Sequence, residues 1–186
     1  MITIKTGRVK IVLKFGFFLA TALLCLTDKG GLALCMMCSC VIHEIGHITA
    51  TVLCNVKIEK IIFDFGGIKM VSECKIKSIS TDIFVLLSGP FFNMLSALFY
   101  YHLECYTAFS VNLILALFNL LPFSTLDGGA ILKKLLEYFC INTDFVLKVT
   151  SILSAITVCV MMYYFSVNNI LIYGVIIFLM VCEIFY

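Results

Sequence analysis

Long apolar stretches separated by short polar segments run along the whole chain. Six of them are each close to the ~20 residues that an α-helix needs to cross the hydrocarbon of a bilayer. They are Ile11–Leu26, Leu32–Cys54, Ile83–Tyr101, Ala108–Phe123, Val146–Phe165 and Ile170–Phe185. The pattern predicts an all-α polytopic membrane protein with about six transmembrane helices.

Two segments depart from this pattern. Apolar and polar residues alternate over Lys57–Val71, on both sides of Gly66-Gly67. This alternation predicts a small β-hairpin at the membrane surface, between the second and third helices. Residues 128–140 place apolar residues on one side and charged residues on the other, which is typical of a helix that lies in the interface.

The composition requires lipid as part of the solvent. Of the 186 residues, 62% are hydrophobic and 13% are charged, and the mean hydropathy is +1.13. A soluble domain has about 25% charged residues, so a soluble enzyme, a disordered protein and a nucleic-acid-binding domain are excluded. The ten cysteines lie mostly in or beside apolar stretches, and we interpret most of them as small buried residues in a reducing compartment.

The basic residues indicate how the helices are oriented. With the N-terminus in the cytoplasm, Lys29 lies outside and the other twelve of the 13 Lys and Arg residues lie inside. This asymmetry follows the positive-inside rule. It predicts a multi-pass protein of the cell membrane with both termini in the cytoplasm, in which the second and fourth helices run from outside to inside.

The second predicted helix contains the motif His43-Glu44-Ile45-Gly46-His47. Ionisable groups within a bilayer are costly and are usually functional. The spacing of four places both imidazoles on one helix face, close enough to bind one ion. H-E-x-x-H is the pattern of zinc held by two histidines, with the glutamate as general base. The alternative is a pair of histidines that form hydrogen bonds across a helical bundle.

A catalytic zinc site needs a third protein ligand and leaves one position for water. His102 lies near the outer end of the third helix, at an unsuitable depth. Asp127 follows the fourth helix, which descends towards the cytoplasm like the second and which Pro122 should end or kink. Asp127 is therefore the preferred third ligand, and its alternative role is the N-cap of the next helix.

Four motifs, taken in order, resemble those of the site-2 proteases, which are intramembrane zinc metalloproteases. They are His43-Glu44-Ile45-Gly46-His47, Phe65-Gly66-Gly67, Gly89-Pro90-Phe91-Phe92-Asn93 and the segment Asn119 to Gly129. Within that family the chain looks most like the branch of stage IV sporulation protein FB. That branch releases a sigma-factor precursor from its membrane-associated prosegment.

The resemblance implies a single integral-membrane peptidase domain over residues 1–186. We expect a catalytic core at about 30–140 and further helices at about 11–26, 146–165 and 170–185. Segment 55–80 is too short for the PDZ domain that other branches insert. We also expect no nucleotide-sensing CBS domain after the last helix.

The resemblance implies a zinc metalloendopeptidase that cleaves within or near the membrane segment of a membrane-associated protein. One catalytic Zn²⁺ would be held by His43, His47 and Asp127. Glu44 would take a proton from water and later deliver it to the leaving amine.

Two further sets of residues are expected to act on the substrate. Asn93 or Asn119 would stabilise the oxyanion or position the substrate, or else form a helix–helix hydrogen bond. A hairpin edge that includes Ile61, Ile62 and Phe63 would pair with an unwound substrate by strand addition. The alternative for this segment is a simple surface loop.

Two other classes of protein remain open from the sequence. The hypothesis of a metal or ion transporter is weakened because the polar residues cluster at one depth and trace no path across the bilayer. A proteolytically inactive scaffold would not need Glu44. The expected partners are a membrane-associated substrate, membrane regulatory or inhibitory proteins and the lipid bilayer, but no nucleic acid.

Overall fold

The computed structural model describes residues 2–6, 9–13, 15, 22, 26, 31–56, 58–64, 67–72, 78–164 and 180–181. These residues form five helices. The chain divides into two compact units, Met1–Ala116 and Leu117–Tyr186. The helices are α1 (Leu32–Leu53), α2 (Ile79–His102), α3 (Tyr106–Asn119), α4 (Asp127–Tyr138) and α5 (Thr143–Tyr164).

Three of these helices are long and apolar enough to cross a membrane, namely α1, α2 and α5. They correspond to the second, third and fifth predicted helices. Helix α3 has 14 residues and is about 21 Å long at 1.5 Å per residue, shorter than the predicted Ala108–Phe123. It ends three residues before Pro122, because a proline disfavours helical geometry in the residue before it.

Parts of the predicted fold lie outside the described residues. They include most of the first predicted helix, Ile11–Leu26, and of the sixth, Ile170–Phe185. The structure corrects the prediction for the start of the first stretch, because Ile11 to Leu13 belong to a β-strand and not to a helix.

A four-stranded sheet in the first unit corrects the all-α prediction. Its strands, in spatial order, are β1 (Ile2–Thr6), β2 (Val9–Leu13), β3 (Ile58–Asp64) and β4 (Gly67–Ser72). Strands β3 and β4 are antiparallel neighbours around the Gly66-Gly67 segment, and β2 pairs with β3 in parallel. Local alternation indicated the two later strands, whereas the parallel pairing joins residues that are 50 positions apart.

The helices of the first unit have polar and small residues inside and large apolar residues outside. Buried positions on α1 include Ser39, His43 and His47, whereas Leu34 and Val52 are exposed. This reverses the arrangement of a soluble protein, because lipid solvates the apolar side chains and only the bundle interior satisfies the polar ones.

Small residues let α1 and α2 approach closely. A Cβ atom added to Gly46 of α1 would lie 2.5 Å from the Ser88 carbonyl oxygen of α2 and 3.0 Å from Phe92 Cγ. No ordinary side chain fits at such a distance. The close approach brings Gly89 and Val85 of α2 beside the histidines of α1.

The second unit packs the segment between α3 and α4 against α5. Phe123 is buried with Ala155 and Met162, and the buried Ser151 hydroxyl donates a hydrogen bond to the Pro122 carbonyl oxygen at 2.7 Å. Added Cβ atoms on Gly128 and Gly129 would meet the backbone of this segment, at 2.7 Å from Leu121 O and 2.8 Å from Ser124 N. The segment that leads into Asp127 is therefore closely packed.

The described cysteines are not fully buried, in contrast to the prediction for most of the ten. Cys38, Cys40, Cys105 and Cys140 are exposed, and the remaining three described cysteines are partly exposed. All seven are free thiols. In a membrane protein, exposed positions within a spanning helix face lipid, which accepts a small apolar residue as readily as the interior does.

Candidate metal centre

Two imidazoles converge on the inner face of α1. The Nε2 atoms of His43 and His47 are 3.0 Å apart, and the ring planes are inclined at 81°. The two residues are only 6% and 7% exposed. The i, i+4 spacing predicted from the sequence thus brings two candidate ligand nitrogens to one point.

The other ring nitrogen of each histidine faces an oxygen acceptor on α2. His43 Nδ1 donates to the side-chain oxygen of Asn93 at 2.8 Å, and His47 Nδ1 donates to the Val85 carbonyl oxygen at 2.7 Å. In the neutral imidazoles the hydrogens are therefore on Nδ1, and both Nε2 lone pairs point to the shared space. Two converging lone pairs fit a bound cation, and imidazole nitrogen is a preferred zinc ligand.

Gly89 forms one wall of this space. A Cβ atom at this position would lie 2.7 Å from His43 Nε2 and 2.6 Å from His47 Cε1. Because Gly89 lacks a side chain, the space in front of the two ligand nitrogens is kept clear. The donor set and the clear space are both compatible with a zinc ion held by this pair.

Glu44 and Asp127 occupy different units of the molecule. Glu44 directly follows His43 on α1 and is partly buried. Asp127 is the first residue of α4 in the second unit and is also partly buried. Leu126 occupies the N-cap position, so Asp127 is not the N-cap that the alternative interpretation required.

Two of the remaining candidates lie at helix ends. His102 ends α2 and is exposed. It is 13 residues beyond Gly89, about 20 Å along the helix, which agrees with its exclusion as a ligand. Asn119 ends α3, and its role in catalysis stays a prediction.

The hydrogen bonds of Asn93 support the helix–helix alternative. Its side chain is fully buried, and its Nδ2 group donates to the Ser39 carbonyl oxygen and to Asn112 Oδ1, each at 3.0 Å. Both amide hydrogens are thereby used, and none is left for a substrate oxyanion.

The position of Ile61, Ile62 and Phe63 corrects the predicted substrate-pairing strand. They lie in β3, which pairs with β2 on one side and β4 on the other. A strand with neighbours on both sides has no free backbone groups to offer to a substrate. Local sequence patterns did not reveal that β2 covers this strand, because the paired residues are 50 positions apart.

Three residues of the site had no role in the sequence interpretation. Val85 contributes only its backbone carbonyl, which no sequence pattern reveals. Gly89 stood in a recognised motif without an assigned role. Asn112 had a detectable signal, because it is an amide in an otherwise apolar stretch, and such residues usually face the bundle interior.

Residues 31–109 and 103–164 match the sequence profile of Peptidase family M50. The helical fold and the histidine pair thus define a membrane protein of the metallopeptidase class. The chain belongs to Peptidase family M50, the family of the site-2 proteases, whose members are zinc metalloproteases.

The proteins similar to this chain include one curated relative and one solved structure. Stage IV sporulation protein FB of Bacillus subtilis (strain 168) is 29% identical over an alignment of 125 positions, which covers 62% of this chain and 43% of that protein. The chain thus spans less than half the length of this relative. The fold matches the site-2 protease from Methanocaldococcus jannaschii with a TM-score of 0.69 and 20% identity, over 98% of this chain and 93% of that one.

Proposed function

We propose that this protein is an intramembrane zinc metalloendopeptidase. It would hydrolyse a peptide bond within or near the membrane segment of a membrane-associated protein. The observation that carries the proposal is the convergence of the two Nε2 atoms, 3.0 Å apart, with both Nδ1 atoms engaged by oxygen acceptors. The pair lies on a helix long enough to span a membrane, and membership of Peptidase family M50 supports the same activity.

We propose Asp127 as the third ligand beside His43 and His47. A carboxylate oxygen is a normal zinc donor, and two histidines with one carboxylate leave a position open for water. Two arguments support the choice: the predicted descent of the preceding helix to the depth of the histidine motif, and the place of Asp127 in a motif that resembles those of site-2 proteases.

The roles of the protein groups follow from their chemistry. When bound, zinc activates water as a nucleophile and stabilises negative charge on the scissile carbonyl oxygen. Glu44 would accept the proton of the attacking water and donate it to the leaving amine. The burial of His43 and His47 keeps bulk water away, which strengthens the electrostatic contribution of these groups.

The substrate class and the cellular setting extend the proposal. The similarity to stage IV sporulation protein FB supports a membrane-tethered sigma-factor precursor as substrate and a role in sporulation. We propose that both termini and the active-site side face the cytoplasm, as the distribution of lysines predicts. Membrane proteins that regulate or inhibit the enzyme would be further partners.

Replacement of Glu44 by Gln tests the activity. The amide keeps the size of the side chain but cannot accept a proton, and removal of a general base lowers the rate by about 10²- to 10⁴-fold. We therefore expect the purified variant to retain zinc and to lose cleavage of a membrane-tethered sigma-factor precursor. Wild-type protein is assayed in parallel for cleavage and zinc content.

The other outcomes discriminate among the classes of protein. Zinc in the folded wild type without cleavage of any membrane-tethered candidate would favour the scaffold. A folded wild type that binds no zinc would contradict the metallopeptidase. Full activity of the Glu44→Gln variant would remove Glu44 from the mechanism.

A further inference from the structure

Two buried asparagines connect α2 with both of its neighbouring helices. Asn93 is 0% exposed and Asn112 is 1% exposed. Asn93 Nδ2 donates to the Ser39 carbonyl oxygen of α1 and to Asn112 Oδ1 of α3, each at 3.0 Å. Asn112 Nδ2 donates to the Ala108 carbonyl oxygen at 2.9 Å. Buried amides are costly unless they are hydrogen-bonded, so these bonds hold both side chains in one orientation.

The partners determine which way each amide points. A carbonyl oxygen only accepts hydrogen bonds, so the atoms that face Ser39 O and Ala108 O must be Nδ2 atoms. Asn112 Oδ1 is consequently directed to Asn93, and Asn93 Oδ1 is directed to His43 Nδ1 at 2.8 Å. Hydrogen-bond donation therefore runs in one direction, from His43 through Asn93 and Asn112 to the Ala108 carbonyl.

This direction determines the tautomer of His43. Because Asn93 Oδ1 is an acceptor, His43 Nδ1 carries the hydrogen, and Nε2 of the neutral ring keeps its lone pair. The opposite tautomer would place a hydrogen on Nε2, in the space shared with His47 Nε2. That hydrogen would block a metal ion.

We propose that Asn93 and Asn112 are positioning residues that hold His43 in the Nδ1–H tautomer, with Nε2 ready to bind the metal. This inference rests on the proposed function, because it takes His43 as a zinc ligand. Metal-bound histidines usually donate to a carboxylate, a backbone carbonyl or water. A carboxamide pair performs this role without burying a charge in an apolar interior.

The proposal is tested by the zinc affinity of four variants. Competition with a chelator measures this affinity. Loss of the partner of a ligating histidine lowers metal affinity by about 10- to 100-fold, which we expect for Asn93→Leu. Asn112→Leu should weaken binding less, because Asn93 keeps its bond to Ser39. Asn112→Asp should restore wild-type affinity, since a protonated carboxyl group both accepts from Asn93 and donates to Ala108.

Thr150→Val is the matched control for loss of a side-chain hydrogen bond. The Thr150 hydroxyl donates to carbonyl oxygens of its own helix, α5. We expect this variant to keep wild-type zinc affinity. A merely structural role of the asparagines would lower stability without changing the affinity of the folded fraction.

Nitrogen NMR of metal-free protein, labelled with ¹⁵N-histidine, gives a readout independent of activity. The three histidines are assigned with His43→Gln and His102→Gln variants. We expect the hydrogen of His43 on Nδ1 in the wild type and a loss of this preference in Asn93→Leu. His47 is the internal control. Its Nδ1 group donates to the Val85 carbonyl, which the substitution leaves in place, so His47 should keep its tautomer.

Several results would overturn the inference. One is a wild-type His43 with its hydrogen on Nε2, and another is wild-type tautomer and affinity in Asn93→Leu. If that variant does not fold, the wild-type spectrum and Asn112→Leu still decide. Zinc binding without cleavage would overturn the proposed function and leave this inference standing, whereas a wild type that binds no zinc would overturn both.

Discussion

Next to the two imidazoles, the absence of a side chain at Gly89 matters as much as any functional group. A Cβ atom there would approach both rings more closely than Cβ atoms approach other heavy atoms in proteins. The rings cannot retreat easily, because their Nδ1 atoms are held by Asn93 and Val85. Gly89 therefore keeps the ligand space clear in a way that even alanine cannot.

Replacement of Gly89 by Ala should weaken metal binding while the helices still assemble. We expect at least a roughly tenfold loss of zinc affinity, since the methyl group displaces a histidine from its hydrogen-bonded position. Metal analysis of the purified folded fraction measures this. Met94→Ala, an exposed position on the same helix, should keep its zinc. Wild-type zinc affinity in Gly89→Ala would contradict the inference that the missing side chain keeps the space in front of the imidazoles clear.

At the scale of elements, the segment between α3 and α4 receives a hydrogen bond from α5. Ser151 is fully buried, and its hydroxyl satisfies the Pro122 carbonyl oxygen. Since Pro122 precedes Asp127 by five residues, this bond helps to hold the start of α4. A carbonyl that is partly shielded from water, as here, loses stability when its donor is removed.

Ser151→Ala should lower the free energy of unfolding by about 1 kcal/mol. Unfolding in mixed detergent micelles with increasing dodecyl sulfate measures the difference. Ser154→Ala is the matched control, because the Ser154 hydroxyl donates within its own helix, to the Ser151 carbonyl oxygen at 2.9 Å. Equal losses in both variants would show that the bond to Pro122 has no special importance.

At the scale of the whole molecule, two exposed cysteines allow the predicted topology to be tested. Cys105 lies between α2 and α3, and Cys140 follows α4. The predicted orientation places the first outside the cell and the second in the cytoplasm. Both thiols are free and exposed, so access from either side should control their reactivity.

Two variants are compared, one with Cys105 and the other with Cys140 as its single cysteine. They should differ from each other in their reaction with a membrane-impermeant maleimide. In intact cells we expect labelling of Cys105, whereas Cys140 should react only after permeabilisation. Total labelling in permeabilised cells is the control. The opposite pattern would invert the topology and move the active-site side to the cell exterior.

Several features of this protein were predictable from short stretches of sequence. Apolar length indicated α1, α2 and α5, and alternation indicated strands β3 and β4. The spacing of His43 and His47 was sufficient to place two imidazole nitrogens together, because four residues make about one helical turn. Each of these inferences depends on neighbouring positions, whose relative geometry the backbone itself imposes.

Other features depend on contacts between segments that are distant along the chain. The bond from His43 to Asn93 spans 50 positions, and the pairing of Ile11 with Ile61 also spans 50. The first contact gives His43 Nδ1 a fixed acceptor, and the second makes β3 a central strand. Many partners are compatible with a single amide or strand, and only the packing of the whole chain selects one of them.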